Sequence, residues 1–190
     1  MRSWLRPLMS STGRCAPSGW CSAAWPTATW HRSSPIGRSR TSRSGSAEFA
    51  TDVESLAERF GNGGMAVIVE HEGRLIGDLM VKVQDAYAQR EVAEGAKGTE
   101  AEIGWVVDPA HHGQGFATEA IEALFRICFD GLGLRRVIAI CFTANEPSWR
   151  LMERLGMRRE AHHVKDSLHR EHGWQDGYVY ALLAEEWRAR

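Results

Sequence analysis

Features of secreted and membrane proteins are scarce in this chain. Four of its 190 residues are cysteines. No two of them form a Cys-x-x-Cys pair; they are Cys15, Cys21, Cys128 and Cys141. No apolar run reaches the ~18 residues that a membrane-spanning helix needs. With no sign of a disulfide framework, a redox motif or a transmembrane segment, the sequence favours a soluble cytoplasmic protein with reduced cysteines.

Lysine is also rare, and one part of the chain contains no acidic residue. The chain has 20 arginines against three lysines. Residues 1–47 hold seven of these arginines and no acid, so residues 48–190 carry 16 bases against 24 acids, a net charge of −8. Such an acidic body gives no case for nucleic-acid binding, and it weakly favours cationic partners.

Residues 1–47 lack any helical or strand periodicity, yet they hold four tryptophans and four of the six prolines. Their Arg- and Ser-rich composition is typical of a transit peptide, but the scattered tryptophans and prolines argue against an amphipathic presequence. We hypothesise that residues 9–46 derive from a shifted reading frame in a GC-rich gene. Apolar spacing over residues 48–60 predicts a helix, and residues 48–190 are expected to form a single domain.

A glycine-containing loop between a strand and a helix is the most informative feature. Residues 100–108 read as a buried strand that ends before Pro109, and Gly113 and Gly115 stand directly before an amphipathic helix. The helix is indicated by apolar residues at steps of three and four: Ala117, Ala120, Ile121, Leu124, Phe125, Cys128, Phe129 and Leu132. Glycine lets the backbone approach a ligand closely, and the first N–H groups of a helix attract phosphate. Neither a Walker lysine nor a G-x-G-x-x-G fingerprint is present.

A second helix start follows the next strand. Residues 136–142 form an almost unbroken apolar run, typical of a strand covered on both faces. Asn145 is the expected N-cap and Pro147 lies in the first turn of a short helix. Its apolar face is Trp149, Met152 and Leu155, and Gly156 ends it.

These two segments resemble the signatures of the GCN5-related N-acetyltransferases (GNAT). His-Gly-Gln-Gly-Phe-Ala at residues 112–117 is similar to the family loop Q/R-x-x-G-x-G/A, with His112 in place of Gln or Arg. Residues 145–157 are similar to N-x-x-S-x-x-x-x-E-K-x-G-F. Leu5 to Leu8 resemble the family's first strand. The string GRLIGD and the closing GWQDGYVYALLAEEW resemble the RimJ/RimL branch, within a likeness that extends over residues 65–187.

The resemblance implies an α/β acetyltransferase fold: a mixed, mostly antiparallel sheet with one splayed parallel strand pair, flanked by helices. Acetyl-CoA would lie between strands 102–108 and 136–142, and a primary amine would attack its thioester directly. The residues implied in cofactor binding are Val106, Val107, His112, Gly113, Gln114, Gly115, Phe116, Ala117, Thr118 and Asn145. The backbone N–H near Val106 would stabilise the oxyanion.

Two side chains are the candidates for proton transfer. Glu102, on the strand that presents the thioester, is the expected general base, either directly or through a water molecule. The family's usual acid is a tyrosine on the helix after the second signature, but Met152 occupies that neighbourhood and no tyrosine is near in sequence. Ser148 is the expected substitute. The plainer alternatives are an ordinary strand glutamate and a serine that bonds to the backbone of a first helical turn.

Other functions stay open. The missing tyrosine and the anomalous first segment favour a catalytically silent acyl-CoA-binding or regulatory module as the alternative. His162, His163, His169 and His172 suggest a metal-dependent hydrolase more weakly, because their spacing fits no familiar zinc pattern. We expect no metal site, with these histidines in a polar hairpin or lining an acceptor pocket. The sequence names neither the acceptor amine nor the oligomeric state, of which a homodimer is one option, and it predicts no nucleic-acid or membrane partner.

Overall fold

The computed structural model describes the backbone of Leu5–Pro7 and residues 65–190 in full. The interpretations of the shifted reading frame and of the helix over residues 48–60 lie outside the described residues. Seven strands are described: β1 Leu5–Pro7, β2 Met65–His71, β3 Arg74–Gln84, β4 Glu100–Val107, β5 Arg136–Phe142, β6 Arg158–His169 and β7 Gly173–Leu183. The strand predicted at the start of the chain is therefore confirmed.

The seven strands form one sheet in the order β1-β2-β3-β4-β5-β7-β6. Every neighbouring pair is antiparallel except β4 with β5, which is parallel. A parallel pair requires a crossover connection, and the crossover here is the helix that was expected after the glycine loop. The prediction of a mostly antiparallel sheet with one parallel pair is confirmed.

Three helices are described: α1 Phe116–Arg126, α2 Glu146–Arg154 and α3 Ala184–Arg188. The last part of the apolar stretch expected in α1 forms a π-helical turn, Ile127–Gly131, rather than a continuation of the α-helix. Short 3₁₀ turns occur at Arg90–Ala96 and Pro109–His111.

The core lies between one face of the sheet and helices α1 and α2. The buried face of α1 consists of Ala120, Ile121, Leu124 and Phe125. Trp187 of α3 covers this layer, with ring centroids 5.7 Å from Phe125 and 6.1 Å from Phe129. Cys128 and Cys141 are buried and unpaired, and burial raises the pKa of these thiols to about 12 and about 11 respectively. Both therefore act as packing residues, as expected.

A chain of ion pairs fastens the beginning of the parallel strands. Glu100 at the start of β4 is only 7% exposed. Its carboxylate accepts from Arg135, at 2.6 Å, and from Arg136, at 3.1 Å. Arg136 also pairs with Glu160 of β6, which pairs in turn with Arg158. Because Glu100 of β4 binds both Arg135 and Arg136, its carboxylate holds the start of β4 to the start of β5.

The absence of a side chain at Gly77 of β3 allows the backbone of the neighbouring strand β4 to approach closely. A Cβ placed there would lie 2.8 Å from the carbonyl oxygen of Val106, closer than real Cβ contacts. We expect Gly77→Ala to lower the free energy of unfolding by about 2 kcal/mol, because β4 would have to move away. Urea denaturation measures this. Gly104→Ala on β4 is the control, since its Cβ would meet only the Met80 side chain, at 3.5 Å, and an equal loss in both variants would contradict this explanation.

Candidate active site

The parallel strands part after four residue pairs. β4 and β5 are paired from Glu100 with Arg136 to Ile103 with Ala139. Beyond that point β4 stays paired with β3 as far as Val107, and β5 stays paired with β7 as far as Phe142. Among the described strands, none fills the space between the facing edges of β4 and β5. Their backbone groups there are available to an extended ligand.

The loop that follows β4 is held by hydrogen bonds between residues a few positions apart. The Asp108 side chain accepts from the N–H of Ala110, at 3.0 Å, and lies 3.3 Å from Nδ1 of His111. The Gln114 side chain donates to the Ala110 carbonyl, at 3.1 Å. Gln114 was predicted as a cofactor contact, and the structure places its amide inside the loop, where it fixes the loop's shape.

Gly113 and Gly115 have the conformations that the loop requires. Their φ values are +72° and +89°, in the left-handed region that favours glycine. A Cβ at either position would meet no atom of the described residues within 4 Å, so no described side chain covers either glycine. Gly115 is the N-cap of α1, and the N–H groups of Phe116, Ala117 and Thr118 have no intrahelical partner. Together these groups suit anion binding at the open end of the strand pair, and we call them the anion cradle.

His112 fills the position where the family has Gln or Arg. Its Nε2 lies 2.9 Å from the carbonyl oxygen of Val107. The imidazole thus ties the glycine loop to the last residue of β4. His112 and Val107, both predicted as cofactor-binding residues, therefore contact each other in this structure.

An aromatic cluster supports the start of α1. The Phe116 ring lies 4.7 Å from the His71 ring and 5.9 Å from the His111 ring. His71 ends β2, so this cluster connects the cradle to a distant strand. The sequence analysis identified Phe116 but missed His71, because the contact depends on the pairing of β2 with β3 and of β3 with β4.

Helix α2 begins beside the cradle. β4 and β5 are parallel, so the helices that follow them start at the same edge of the sheet. Asn145 caps α2 by accepting from the N–H of Ser148, at 3.3 Å, which confirms the predicted N-cap. The Trp149 indole donates to the carbonyl of Thr143, at 3.2 Å, and holds the helix against the end of β5.

The two predicted catalytic side chains flank the opening. Glu102 is half-buried and lies opposite Ile138 of β5, one residue before the last paired position. Strand alternation puts it on the same face as Gly104 and Val106. Ser148 is half-buried in the first turn of α2, after the open end of β5. Glu102 is thus at the closed end of the opening and Ser148 at its open end.

A tyrosine that is distant in sequence, Tyr180 of β7, lies against α2. Tyr180 is fully buried, and its hydroxyl donates to Oε1 of Glu153, at 2.9 Å. Burial, followed by the hydrogen bond to Glu153, raises the pKa of Tyr180 to about 12. The pairing of β7 with β5 sets Tyr180 opposite Ala139, which is why the contact could not be seen in the sequence. It gives the glutamate of the second signature a structural role.

The histidine-rich hairpin of β6 and β7 contains separate pairs. His162 contacts Asp176, at 2.8 Å, and His163 contacts Asp166, at 2.9 Å. Bonds from the Lys165 N–H and His162 lower the pKa of Asp176. The pKa of Asp166 is lowered as well, because bonds from His163 and Ser167 outweigh its desolvation. In residues 65–190 no cluster of three or more His, Cys, Asp or Glu side chains is arranged to hold a metal ion.

Comparison with known proteins agrees with this geometry. Residues 5–158 match the family described as "Acetyltransferase (GNAT) domain". The chain therefore belongs to the GNAT family. A GNAT-family acetyltransferase of Bacillus anthracis has a similar structure, with a TM-score of 0.54 and 33% identity, covering 70% of this chain and 73% of the other.

No helix in the described residues is long and apolar enough to cross a membrane.

Two bacterial N-acetyltransferases are similar to this chain in sequence. The uncharacterized N-acetyltransferase YnaD of Bacillus subtilis is 43% identical over 86 residues, 45% of this chain and 50% of that protein. The uncharacterized N-acetyltransferase p20 of Bacillus licheniformis is 33% identical over 135 residues, 71% of this chain and 67% of that protein. The chain spans about half the length of the first relative and two thirds of the second.

Proposed function

We propose that this GNAT protein transfers the acetyl group of acetyl-CoA to a primary amine. The observation that supports the proposal is that the glycine cradle lies at the end of the opening between β4 and β5. An extended pantetheine arm would lie in the opening, where none of the described strands pairs with the facing edges of β4 and β5. The cradle offers helix N–H groups to the pyrophosphate.

The residues suit direct attack on the thioester. An N–H of β4 near Val106 would stabilise the oxyanion that develops on the thioester carbonyl. Glu102 would take the proton of the attacking amine, directly or through water, and Ser148 would supply a proton to the departing CoA thiolate. Transfer of the proton on Glu102 to Ser148 through water would then return both side chains to their starting states. The new bond joins the amine nitrogen to the acetyl carbon, and the bond that breaks joins that carbon to sulfur. The products are an N-acetyl amide and CoA.

The acceptor is proposed only as a class. The net charge of −8 over residues 48–190 favours a cationic amine. The GRLIGD string and the closing tryptophan segment support a place in the RimJ/RimL branch, and hence a protein N-terminus or a small-molecule amine. A catalytically silent acyl-CoA-binding module is the second candidate, supported by the lack of a tyrosine within α2 itself. The cytoplasmic location stays a prediction.

Two assays test this proposal. Calorimetric titration of the full chain with acetyl-CoA tests the cofactor half, and CoA release with a panel of amines tests catalysis. Binding together with amine-dependent release of CoA supports the transferase. Binding without release by any amine supports the silent module. A folded chain that binds neither acetyl-CoA nor CoA would refute both.

Replacing Glu102 separates catalysis from binding. We expect Glu102→Gln to lower kcat by about 10²-fold or more while the affinity for acetyl-CoA stays within about twofold, because the amide cannot accept the proton. Loss of activity should be greatest at low pH, where the free amine is scarcest. Glu70→Gln, an exposed carboxylate of β2, is the matched control. Unchanged kcat in Glu102→Gln would remove Glu102 from the mechanism, and Ser148→Ala in the same assay tests the acid.

A further inference from the structure

Two glycines on neighbouring strands differ in what the protein requires of them. Gly77 of β3 and Gly104 of β4 are both absent from the glycines with positive φ, so neither is needed for backbone conformation. At Gly77, a Cβ would collide with the Val106 carbonyl, at 2.8 Å. At Gly104 the nearest atoms to a Cβ would be Cε and Cβ of Met80, at 3.5 and 4.0 Å. Only Gly77 has a steric reason to be glycine.

Among the described residues, none requires a glycine at position 104. A glycine inside a strand weakens it, because it adds backbone entropy to the unfolded chain and has no side chain to pack. A strand glycine that neither turns the chain nor admits a neighbouring backbone commonly marks the close approach of a ligand. In the part of the chain that the structure describes, only the Met80 side chain contacts the position that a side chain at 104 would occupy.

That space lies where the strand pair opens. Gly104 directly follows Ile103, the last residue of β4 that pairs with β5. It lies on the face of Glu102 and opposite to the core residue Ile103. On β5 the corresponding position after Ala139 is Ile140, whose side chain is 46% exposed. Met80, opposite Gly104 on β3, borders the space from the other side.

We infer that Gly104 sets the size of the acyl group, and that the protein accepts propionyl and butyryl as well as acetyl thioesters. This inference rests on the proposed function, since it places the thioester at the opening. Two of the side chains that border the space, Met80 and Ile140, are apolar, which suits a hydrocarbon chain. Met80 is an adaptable wall because its unbranched side chain has three rotatable bonds. A longer acyl chain would displace the end of this side chain rather than any backbone.

Calorimetric titration of the full chain with CoA, acetyl-CoA, propionyl-CoA and butyryl-CoA tests the inference. In the wild type we expect affinity to hold or rise from acetyl to butyryl. In Gly104→Val the dissociation constant relative to that of CoA should increase by about fourfold for each added methylene, since each loses its buried contact. Met80→Ala should act in the opposite direction and favour butyryl-CoA. Gly104→Ala gives a smaller change of the same sign as Gly104→Val if the valine variant does not fold.

The results separate the inference from the proposed function. Each dissociation constant is divided by that of CoA for the same variant, so that an effect of the substitution on the pantetheine arm cancels. If CoA binds but the Gly104 and Met80 variants keep the wild-type dependence on chain length, the acyl pocket is elsewhere. A wild-type affinity that falls more than about tenfold from acetyl to butyryl would also overturn the inference. A folded wild type that binds no CoA overturns the proposed function itself.

Discussion

Replacing Gly113 or Gly115 by valine should weaken acetyl-CoA binding by about 100-fold, equivalent to about 2.8 kcal/mol. Both glycines have φ values that side chains rarely adopt, +72° and +89°, so a valine would force the loop into another conformation at a cost of about 1–3 kcal/mol. Its Cβ would also enter the cradle, at a position where no atom of residues 65–190 lies within 4 Å. Calorimetric titration with acetyl-CoA measures the loss.

Gly133 provides the matched control for this experiment. It has a φ of +67° and an equally open Cβ position, but it lies beyond the other end of α1. We expect Gly133→Val to lower stability as the cradle variants do and to leave the dissociation constant for acetyl-CoA unchanged. If all three variants lose affinity together, the effect is one of folding and the cradle is not established.

Removing the carboxylate of Glu100 should destabilise the fold by about 3 kcal/mol, because two arginines lose a largely buried counter-charge. The Glu100 side chain is 9% exposed, whereas those of Arg135 and Arg136 are 59% and 23% exposed. The value is at the lower end of the range for buried pairs, since water screens Arg135. Urea denaturation of Glu100→Ala measures the change, and the melting temperature should fall by about 6–12 °C.

An exposed ion pair serves as the comparison for Glu100. Glu94 pairs with Lys97 at 2.7 Å, and the two side chains are 87% and 59% exposed. Glu94→Ala should change the free energy of unfolding by less than about 0.5 kcal/mol. Equal effects in Glu94→Ala and Glu100→Ala would mean that the buried network does not hold β4 and β5 together.

Local patterns predicted the elements around the cradle well. The spacing of apolar residues by three and four in α1 depends on neighbours within a few residues, and so does the Asn145 cap with Pro147. Both predictions were confirmed. The change to a π turn at Ile127–Gly131 was missed, because the spacing of Cys128 and Phe129 suits an α-helix equally well. Helical periodicity reports which side of a helix is apolar, but it does not report the hydrogen-bond register of the last turn.

Contacts between distant strands were not predictable in this way. The hydroxyl of the buried Tyr180 reaches Glu153 on α2, 27 positions earlier in the chain. His71 contacts Phe116 across 45 positions of sequence. Such contacts depend on strand order and register, which the alternation of side chains within one strand leaves open.

The sequence by itself determined the family, the positions of most strands and helices from residue 65 onward, and the glycines at the anion cradle, because these follow from local motifs and short-range periodicity. Only the tertiary structure decided where β4 and β5 separate, which atoms His112 and Tyr180 contact, and why Gly77 and Gly104 differ. The physical reason is that each of these features depends on how close two separate strands or loops approach in space. The residue pattern of a single strand or helix does not specify that distance.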